Sequence, residues 1–367
     1  MLLFRIFFIL TYFLIIPHSF AKLVELKITN YGSSDPKITK IIDDFLNDIE
    51  NKIDNQSSSK DIQIPQIGKF LKGIGEANAI STKGAGPFYA QNFKYFGFGL
   101  GVSLGADFGN QPFGNILSNN FNSNEFSGAS FNPVLTLGFK SANPDKNITY
   151  IINGVYFDNN KFSKNGIHSK HVVASVLVQQ KIVDPIVTPL EFIYWSGVDL
   201  GIGVNHAYLD LSFSKQFTTS ITKKISLPTL PSAGNNDVTA VVLGPYTLGV
   251  KSTTYAIPCE FSTGYQLAKF FTQYAGLALD LNLGTAETYA YASPDIEFHG
   301  SNPLLVLPTV KTQVNFLANQ KKSINLFNLR YFTGLTLALG PLGLFFNFNK
   351  TFLINAFSLT LGIKVMM

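Results

Sequence analysis

Cysteine is almost missing from these 367 residues: Cys259 stands alone. That excludes a disulfide framework or a cysteine-based zinc site within one chain. Charge is scarce too. Only 14% of residues are Asp, Glu, Lys or Arg, against about 25% in an average soluble protein. The net charge of +5 is spread along the chain with no basic stripe interleaved with aromatics, so nothing favours a nucleic-acid partner. After Lys22 no uninterrupted apolar run approaches the ~18 residues that a spanning helix requires. Yet 46% of the chain is hydrophobic. An apolar surface built without spanning helices needs another source, and alternate residues of strands facing lipid provide one. Thirty glycines, 34 phenylalanines and 15 tyrosines fit that source, because small strand residues and aromatic belts belong to barrels.

The first 21 residues read as an export signal. Arg5 supplies the positive start, Ile6 to Ile16 an apolar run too short to span a bilayer, and Ser19-Phe20-Ala21 a small-residue cleavage pattern ending at Ala21. The competing reading is an anchor that stays attached. Residues 22–93 form the next region. From Lys37 to Asn55, Ile38, Ile41, Ile42, Phe45, Leu46, Ile49 and Ile53 fall on one helical stripe, with Ser34 and Pro36 suited to the helix start. A second helix begins near Pro65, with Ile67, Phe70, Leu71 and Ile74 on one side, and Ser81 to Pro87 is a glycine-rich turn region. This N-terminal amphipathic segment reads either as a periplasmic or membrane-surface helix or, by a narrow preference, as a plug in the barrel.

From Lys94 the period changes to two. Phe96, Phe98, Leu100, Val102, Leu104 and Ala106 alternate with small or polar residues over more than the length a tilted strand needs to cross a bilayer. Thirteen candidate strands follow this rule, near 94–107, 129–140, 148–158, 170–182, 192–204, 207–221, 241–250, 252–267, 272–288, 305–317, 325–339, 342–350 and 356–367. Even strand numbers are the rule for single-chain bacterial barrels, so the expected fold is all-β: a transmembrane antiparallel up-and-down barrel of 12–14 strands over 94–367. The apolar set shifts phase between Val204 and Leu209, which predicts a turn at Asn205-His206. Pro258 inside a strand predicts a bulge. Long polar segments at 109–128, 222–237 and 293–303 predict long external loops.

At the C-terminus Phe357, Leu359, Leu361, Ile363, Val365 and Met367 are apolar at every second position, with Ser358, Thr360, Gly362 and Lys364 between them. This resembles the last strand that bacterial outer-membrane barrels present to their assembly machinery, although that family usually ends in Phe where Met367 stands. The resemblance implies an exported outer-membrane protein of a Gram-negative cell, with outer-membrane lipid and the barrel-assembly machinery, through Phe357–Met367, as partners. The layout of N-terminal segment, Gly84-Ala85-Gly86 junction and barrel also resembles the fatty-acid and hydrophobic-compound transporter family, in which a plug precedes the barrel.

Candidate chemistry is thin. Gly101-Val102-Ser103-Leu104-Gly105 matches a nucleophile elbow, but that motif needs a strand-to-helix turn and here lies inside an alternating strand. His168 and His171 fall in a loop before a strand and make a solvated pair more readily than a metal site. No catalytic, cofactor or metal residues are assigned, and the chain does not read as an enzyme. The inward phases do carry charge: Asp107, Asp199, Asp210, Glu260, Asp280, Arg330 and Lys364 are the candidate lumen-facing residues. Their mixed signs favour structural pairing over a one-sign selective pore. Tyr89, Phe93, Tyr95, Tyr194, Trp195, Phe270, Phe271, Tyr289, Tyr291, Phe332 and Phe352 are expected at interfacial girdles. The leading functional expectation is a channel or transporter for small solutes, hydrophobic ones included. The alternative is a surface-exposed structural or adhesive protein whose loops bind ligands.

Overall fold

Alternating side chains give a strand two faces of different chemistry, and the computed structural model sorts those faces to opposite sides of one sheet. It describes residues 24–30, 39–40, 43–44, 47, 64–83, 88–90, 95–109, 127–141, 147–159, 166–187, 192–225, 236–268, 270–292, 295–300, 310–316 and 320–367. The export signal, the apolar stripe of residues 38–53, Phe93 and the Gly84-Ala85-Gly86 junction lie outside them. In chain order the elements are β1 (Val24–Asn30), α1 (Ile64–Ser81), β2 (Phe96–Asp107), β3 (Gly128–Lys140), β4 (Ile148–Asp158), β5 (Ile167–Val183), β6 (Ile186–Val187), β7 (Ile193–Ile225), β8 (Asn236–Leu267), β9 (Phe271–Ala292), β10 (Asp295–Gly300), β11 (Val310–Phe316), β12 (Lys321–Ser323), β13 (Phe327–Leu339), β14 (Leu342–Thr351) and β15 (Ala356–Met366).

The chain divides into two units. The smaller comprises residues 1–61, 219–242 and 292–318. In it β1 runs antiparallel to β11, from Val24 against Phe316 to Asn30 against Lys311. β11 also pairs with β10, Ile296 against Val310.

The larger unit, residues 62–218, 243–291 and 319–367, is the β-barrel. Its wall runs β2, β3, β4, β5, β7, β8, β9, β13, β14, β15. It closes where β15 pairs with β2 over eleven antiparallel positions, from Ala356 against Asp107 to Met366 against Gly97. The up-and-down antiparallel fold is thus the one the alternation predicts, with the C-terminal strand as the closing element. Leu100, Val102, Leu104, Leu277, Leu279, Leu361 and Ile363 are exposed on the outer face, while Ser103, Ser358 and Lys364 between them are buried. At one end of the ring the connections include 268–270 and the two residues 340–341; at the other they include the long segment 108–127.

α1 lies inside this ring. It touches β2, β3, β15 and β12, and its buried residues include Leu71, Ile74, Glu76, Ala77, Asn78 and Ile80. Pro65 suits the first turn, where its missing N–H costs nothing. The Ser81 and Thr82 hydroxyls cap the far end by donating to the carbonyls of Asn78 and Ala79. Glycines on the wall admit the helix. A Cβ on Gly105 would stand 2.2 Å from the carbonyl oxygen of Ala77, and one on Gly128 2.4 Å from the nitrogen of Ile74.

Several local expectations are corrected. The strands expected at 192–204 and 207–221 are one strand, β7, and those at 241–250 and 252–267 are one strand, β8. No turn occurs at Asn205-His206. Both pair in register with β5, opposite Ser175 and Ala174, and the phase shift arises because Ala207 and Leu209 are buried against the packed interior. Pro258 lies within β8, which leaves the expected bulge there untouched. The region expected to be helical contains β1, and the expected loop at 293–303 contains β10. The first helix appears only at its described residues Thr39, Lys40, Asp43, Asp44 and Asn47, all helical. Tyr89 and Phe332 are fully buried and do not belong to a girdle, whereas Tyr95, Phe270, Tyr291 and Phe352 are exposed.

Replacing Gly105 with valine should overpack the helix–wall contact and cost about 1–3 kcal/mol. Thermal unfolding of the purified protein in detergent should show a lowered midpoint, and the same change at Gly154 of β4, where a Cβ meets open space in extended backbone, provides a control for backbone effects.

Candidate functional site

The interior is built by the chain segment from α1 to Ala90 meeting the inward side chains of the wall. Three layers follow one another along that segment. In the first, Glu76 accepts hydrogen bonds from the Asn325 backbone N–H at 2.6 Å and the Asn328 side chain at 3.3 Å. Asn78 accepts from Ser130 and Asn132 of β3, both at 3.3 Å, and donates to Ser252 of β8 at 3.4 Å. The Ser358 hydroxyl donates to the Ile80 carbonyl at 3.3 Å.

The second layer is a buried charge cluster. Arg330 of β13 bonds Asp280 of β9 through Nε at 3.0 Å and Glu260 of β8 through Nη2 at 2.5 Å. It also bonds Asn349 of β14 through Nη1 at 2.7 Å. Its guanidinium lies 5.2 Å from the centre of the Phe332 ring, within cation–π range. Two side chains of the inner segment complete the cluster: Lys83 Nζ stands 3.2 Å from Asp280 and 2.5 Å from Asn282, and Tyr89 donates to Glu260 at 2.5 Å. Two cations thus face two carboxylates, and all four side chains are buried. Each carboxylate is held by both the wall and the inner segment.

The third layer is apolar. Phe88, Tyr89 and Ala90 pack with Ile151, Leu177, Tyr274, Ala278 and Phe332. The Tyr89 ring lies 5.0 Å from Tyr274 and 4.6 Å from Phe332. Gly97 and Gly138 leave room for the Phe88 ring.

Of the seven charges expected inside, Glu260, Asp280 and Arg330 meet in this cluster. Asp107 and Lys364 are buried elsewhere; Asp107 accepts from the Gly109 N–H at 2.9 Å. Asp199 is paired with Lys181 at 3.1 Å. Asp210 accepts from Tyr208 and Tyr289 at 3.1 and 2.6 Å. The sequence assigns no inward role to Lys83 or Glu76 and places Tyr89 at a girdle, because their segment lacks the period-two alternation that marks an inward face.

Ser103 does not sit on an elbow. It is mid-strand in β2 and accepts a hydrogen bond from Thr360 at 2.9 Å. His168 and His171 are both within β5 and not in a loop. His168 meets Asp158 at 3.1 Å, while His171 is buried beside Ser169 and Asn132. Among the described residues no cluster of three or more metal-ligating side chains occurs.

One stretch of wall is open. β3 pairs with β2 along all its residues from Phe139 to Gly128, and β4 pairs with β5 along its whole length. β3 and β4, however, pair only between Thr136–Lys140 and Thr149–Asn153. Pro133, which lacks an N–H, pairs with Val102 of β2 in the part of β3 that has no β4 partner, where a proline is tolerated as on an edge strand. Beside it is a cavity of about 20 Å³ lined by Thr82, Lys83, Val134, Thr136, Val155 and Asn347, among others. The Thr136 hydroxyl and the Asn347 carbonyl oxygen there are buried and make no hydrogen bond to the described residues.

Substituting Arg330 with methionine would leave Asp280 and Glu260 with only Lys83 and Tyr89. Breaking a buried pair in this way costs about 3–5 kcal/mol. Urea unfolding of the protein in detergent should show the loss, and Arg330→Lys should recover only part of it, because an ammonium cannot reproduce the fork that reaches both carboxylates.

A family model described as Lsa36-like matches residues 33–367. No curated protein matches the chain. Among solved structures, the toluene transporter TbuX of Ralstonia pickettii is 11% identical, with 81% of this chain and 99% of that one covered and a TM-score of 0.25. The translocator domain of the autotransporter NalP from Neisseria meningitidis is 9% identical, covering 76% of this chain and 90% of that one, with a TM-score of 0.27. The toluene transporter TodX of P. putida is 9% identical, covering 81% and 99%, with a TM-score of 0.23. These likenesses extend to the barrel fold and no further. The sequence match to the family model spans nearly the whole chain, and the chain belongs to the Lsa36-like family.

Proposed function

We propose that this protein is an outer-membrane barrel that passes small solutes, hydrophobic ones included, by way of its side wall and not along an open axial pore. The apolar outer face and the strand-to-strand closure support the membrane location, since hydrocarbon demands that backbone groups be paired within the protein and lipid-facing strand residues be apolar. The packed interior argues against a wide aqueous channel. Helix, charge cluster and aromatic layer occupy it in turn along the inner segment.

The observation that carries the reading is the interrupted pairing of β3 and β4. In a membrane, an unpaired backbone edge is tolerated where it lines a cavity, and this edge lies beside one. The cavity, with room for about one water molecule, presents Val134 and Val155 beside the polar groups of Thr136 and Asn347, and a small solute with an apolar body would pass there as β3 and β4 part further.

A second reading, a surface-exposed structural or adhesive protein, is favoured by the same filled interior. Uptake separates the two. Liposomes carrying the protein should take up a small aromatic hydrocarbon faster than empty ones, and Val155→Phe, which fills the cleft, should slow that uptake several-fold. Val176→Phe on the exposed outer face of β5 should leave it unchanged. Uptake no faster than in empty liposomes, or equal uptake by both variants, would move the assignment to the adhesive reading. In planar bilayers the intact protein should conduct little.

A further inference from the structure

The stretch where β3 and β4 part is crossed on the inner face by side chains. On β4, Gly154–Asp158 keep their pairing with β5, Gly154 opposite Ala174 and Asp158 opposite Lys170, but have no ladder partner on β3. β3 over the same stretch keeps its pairing with β2. Asn132 of β3 is fully buried there. Its amide nitrogen donates to the Ser81 hydroxyl at 2.5 Å and to the Asn78 side-chain carbonyl at 3.3 Å, which anchors β3 to the end of α1. Its carbonyl oxygen lies 3.1 Å from Nδ1 of His171 on β5, and His171 Nε2 lies 2.5 Å from the Ser169 hydroxyl. A carbonyl oxygen can only accept, so a neutral His171 carries its proton on Nδ1, donates it to Asn132 and accepts from Ser169. This bond runs from β5 to β3 behind β4, whose residue opposite His171 is Phe157.

Two anchored margins therefore meet at the opening: β3 with α1 on one side, β4 with β5 on the other. Drawing them apart stretches the bond that joins them. We infer that the His171–Asn132 hydrogen bond is a clasp that limits how far β3 and β4 part, and so sets the size of the solute that passes between them. The inference rests on the side-wall route proposed above and adds its selectivity. Phe131 of β3 and Tyr156 and Phe157 of β4 are exposed about the opening, which suits a flat apolar body. The Phe157 ring lies 5.9 Å from that of His171, so a solute at the margin reaches the clasp. One neutral hydrogen bond is weak enough to break transiently and strong enough to shift the population of a wider opening several-fold.

Liposomes carrying the full chain test it, with a single-ring and a fused double-ring aromatic hydrocarbon as probes. His171→Leu removes the donor at similar volume. It should raise double-ring uptake several-fold and single-ring uptake less, shifting the ratio between them; His171→Phe, a second variant without the donor, should do the same. His171→Asn, whose amide N–H can stand where Nδ1 stands, should restore the ratio of the unaltered protein. A ratio unchanged in both donor-free variants, or one that His171→Asn fails to restore, would overturn the clasp. A further arm locks the opening. With Cys259 replaced by serine, Val134→Cys and Val155→Cys are joined by a short bis-maleimide; the ladder continued from Thr136 opposite Asn153 sets these positions against each other. In the locked protein His171→Leu should change the uptake of neither probe, and a rise there would overturn the clasp by placing the leak elsewhere. The two readings fail differently. Uptake slowed by Val155→Phe but indifferent to His171→Leu would remove the clasp and keep the side-wall route, whereas uptake by the unaltered protein no faster than in empty liposomes would remove both.

Discussion

A strand whose outer side chains are apolar can give its backbone groups only to another strand, and the rest of this architecture follows from that constraint. An edge left in hydrocarbon would strand a row of N–H and C=O groups. β15 therefore returns to β2, and the eleven positions from Ala356 to Met366 close the sheet. Closure fixes which face is inside. Once it is fixed, the alternation of glycine and serine with Leu100, Val102 and Leu104 on β2 becomes a division between an apolar outer face and a wall against which a helix can lie.

The filled interior imposes a second condition. Charges that face an aqueous lumen can rely on water, but charges in a packed interior must neutralise one another. Arg330, Glu260, Asp280 and Lys83 do this across four separate chain segments, and the hydroxyl of Tyr89 satisfies a remaining carboxylate oxygen. Because Lys83 and Tyr89 belong to the inner segment and the others to the wall, the network serves as the attachment between them. Removing the inner segment would leave the wall with one cation against two carboxylates, so the wall's charge pattern presupposes its occupant.

That dependence explains how much was legible in the sequence. The barrel was readable because period-two alternation is a local property: β2, β9, β13 and β15 announce their faces residue by residue. The inward placement of Glu260, Asp280 and Arg330 was readable for the same reason. What could not be read was the occupant. Nothing local says that Glu76 or Tyr89 meets strands about 170 to 250 positions away in the chain. The errors have the same source. Leu209 and Phe332 are apolar yet inward-facing, because a packed interior accepts apolar residues on a face that a wet lumen would not. Alternation therefore lost its meaning there, and a turn was inferred at Asn205 where the strand runs straight on. In fact Asn205 donates to the Thr82 carbonyl at 2.7 Å, where it holds the end of α1.

The gap between β3 and β4 gains its significance from this packing. In a barrel with an open lumen, a local loss of pairing would matter little to passage, since solutes would follow the axis. Here helix, charges and aromatics occupy the axis one after another, and moving them would break the charge cluster. Between Gly128 and Leu135, β3 is paired on one side only, with β2, and Pro133 there has no N–H to offer β4. The wall is therefore weakest where the backbone already lacks partners, beside the cavity at the helix end. If solute passes, the lower barrier lies sideways through that stretch, with the inner segment staying in place.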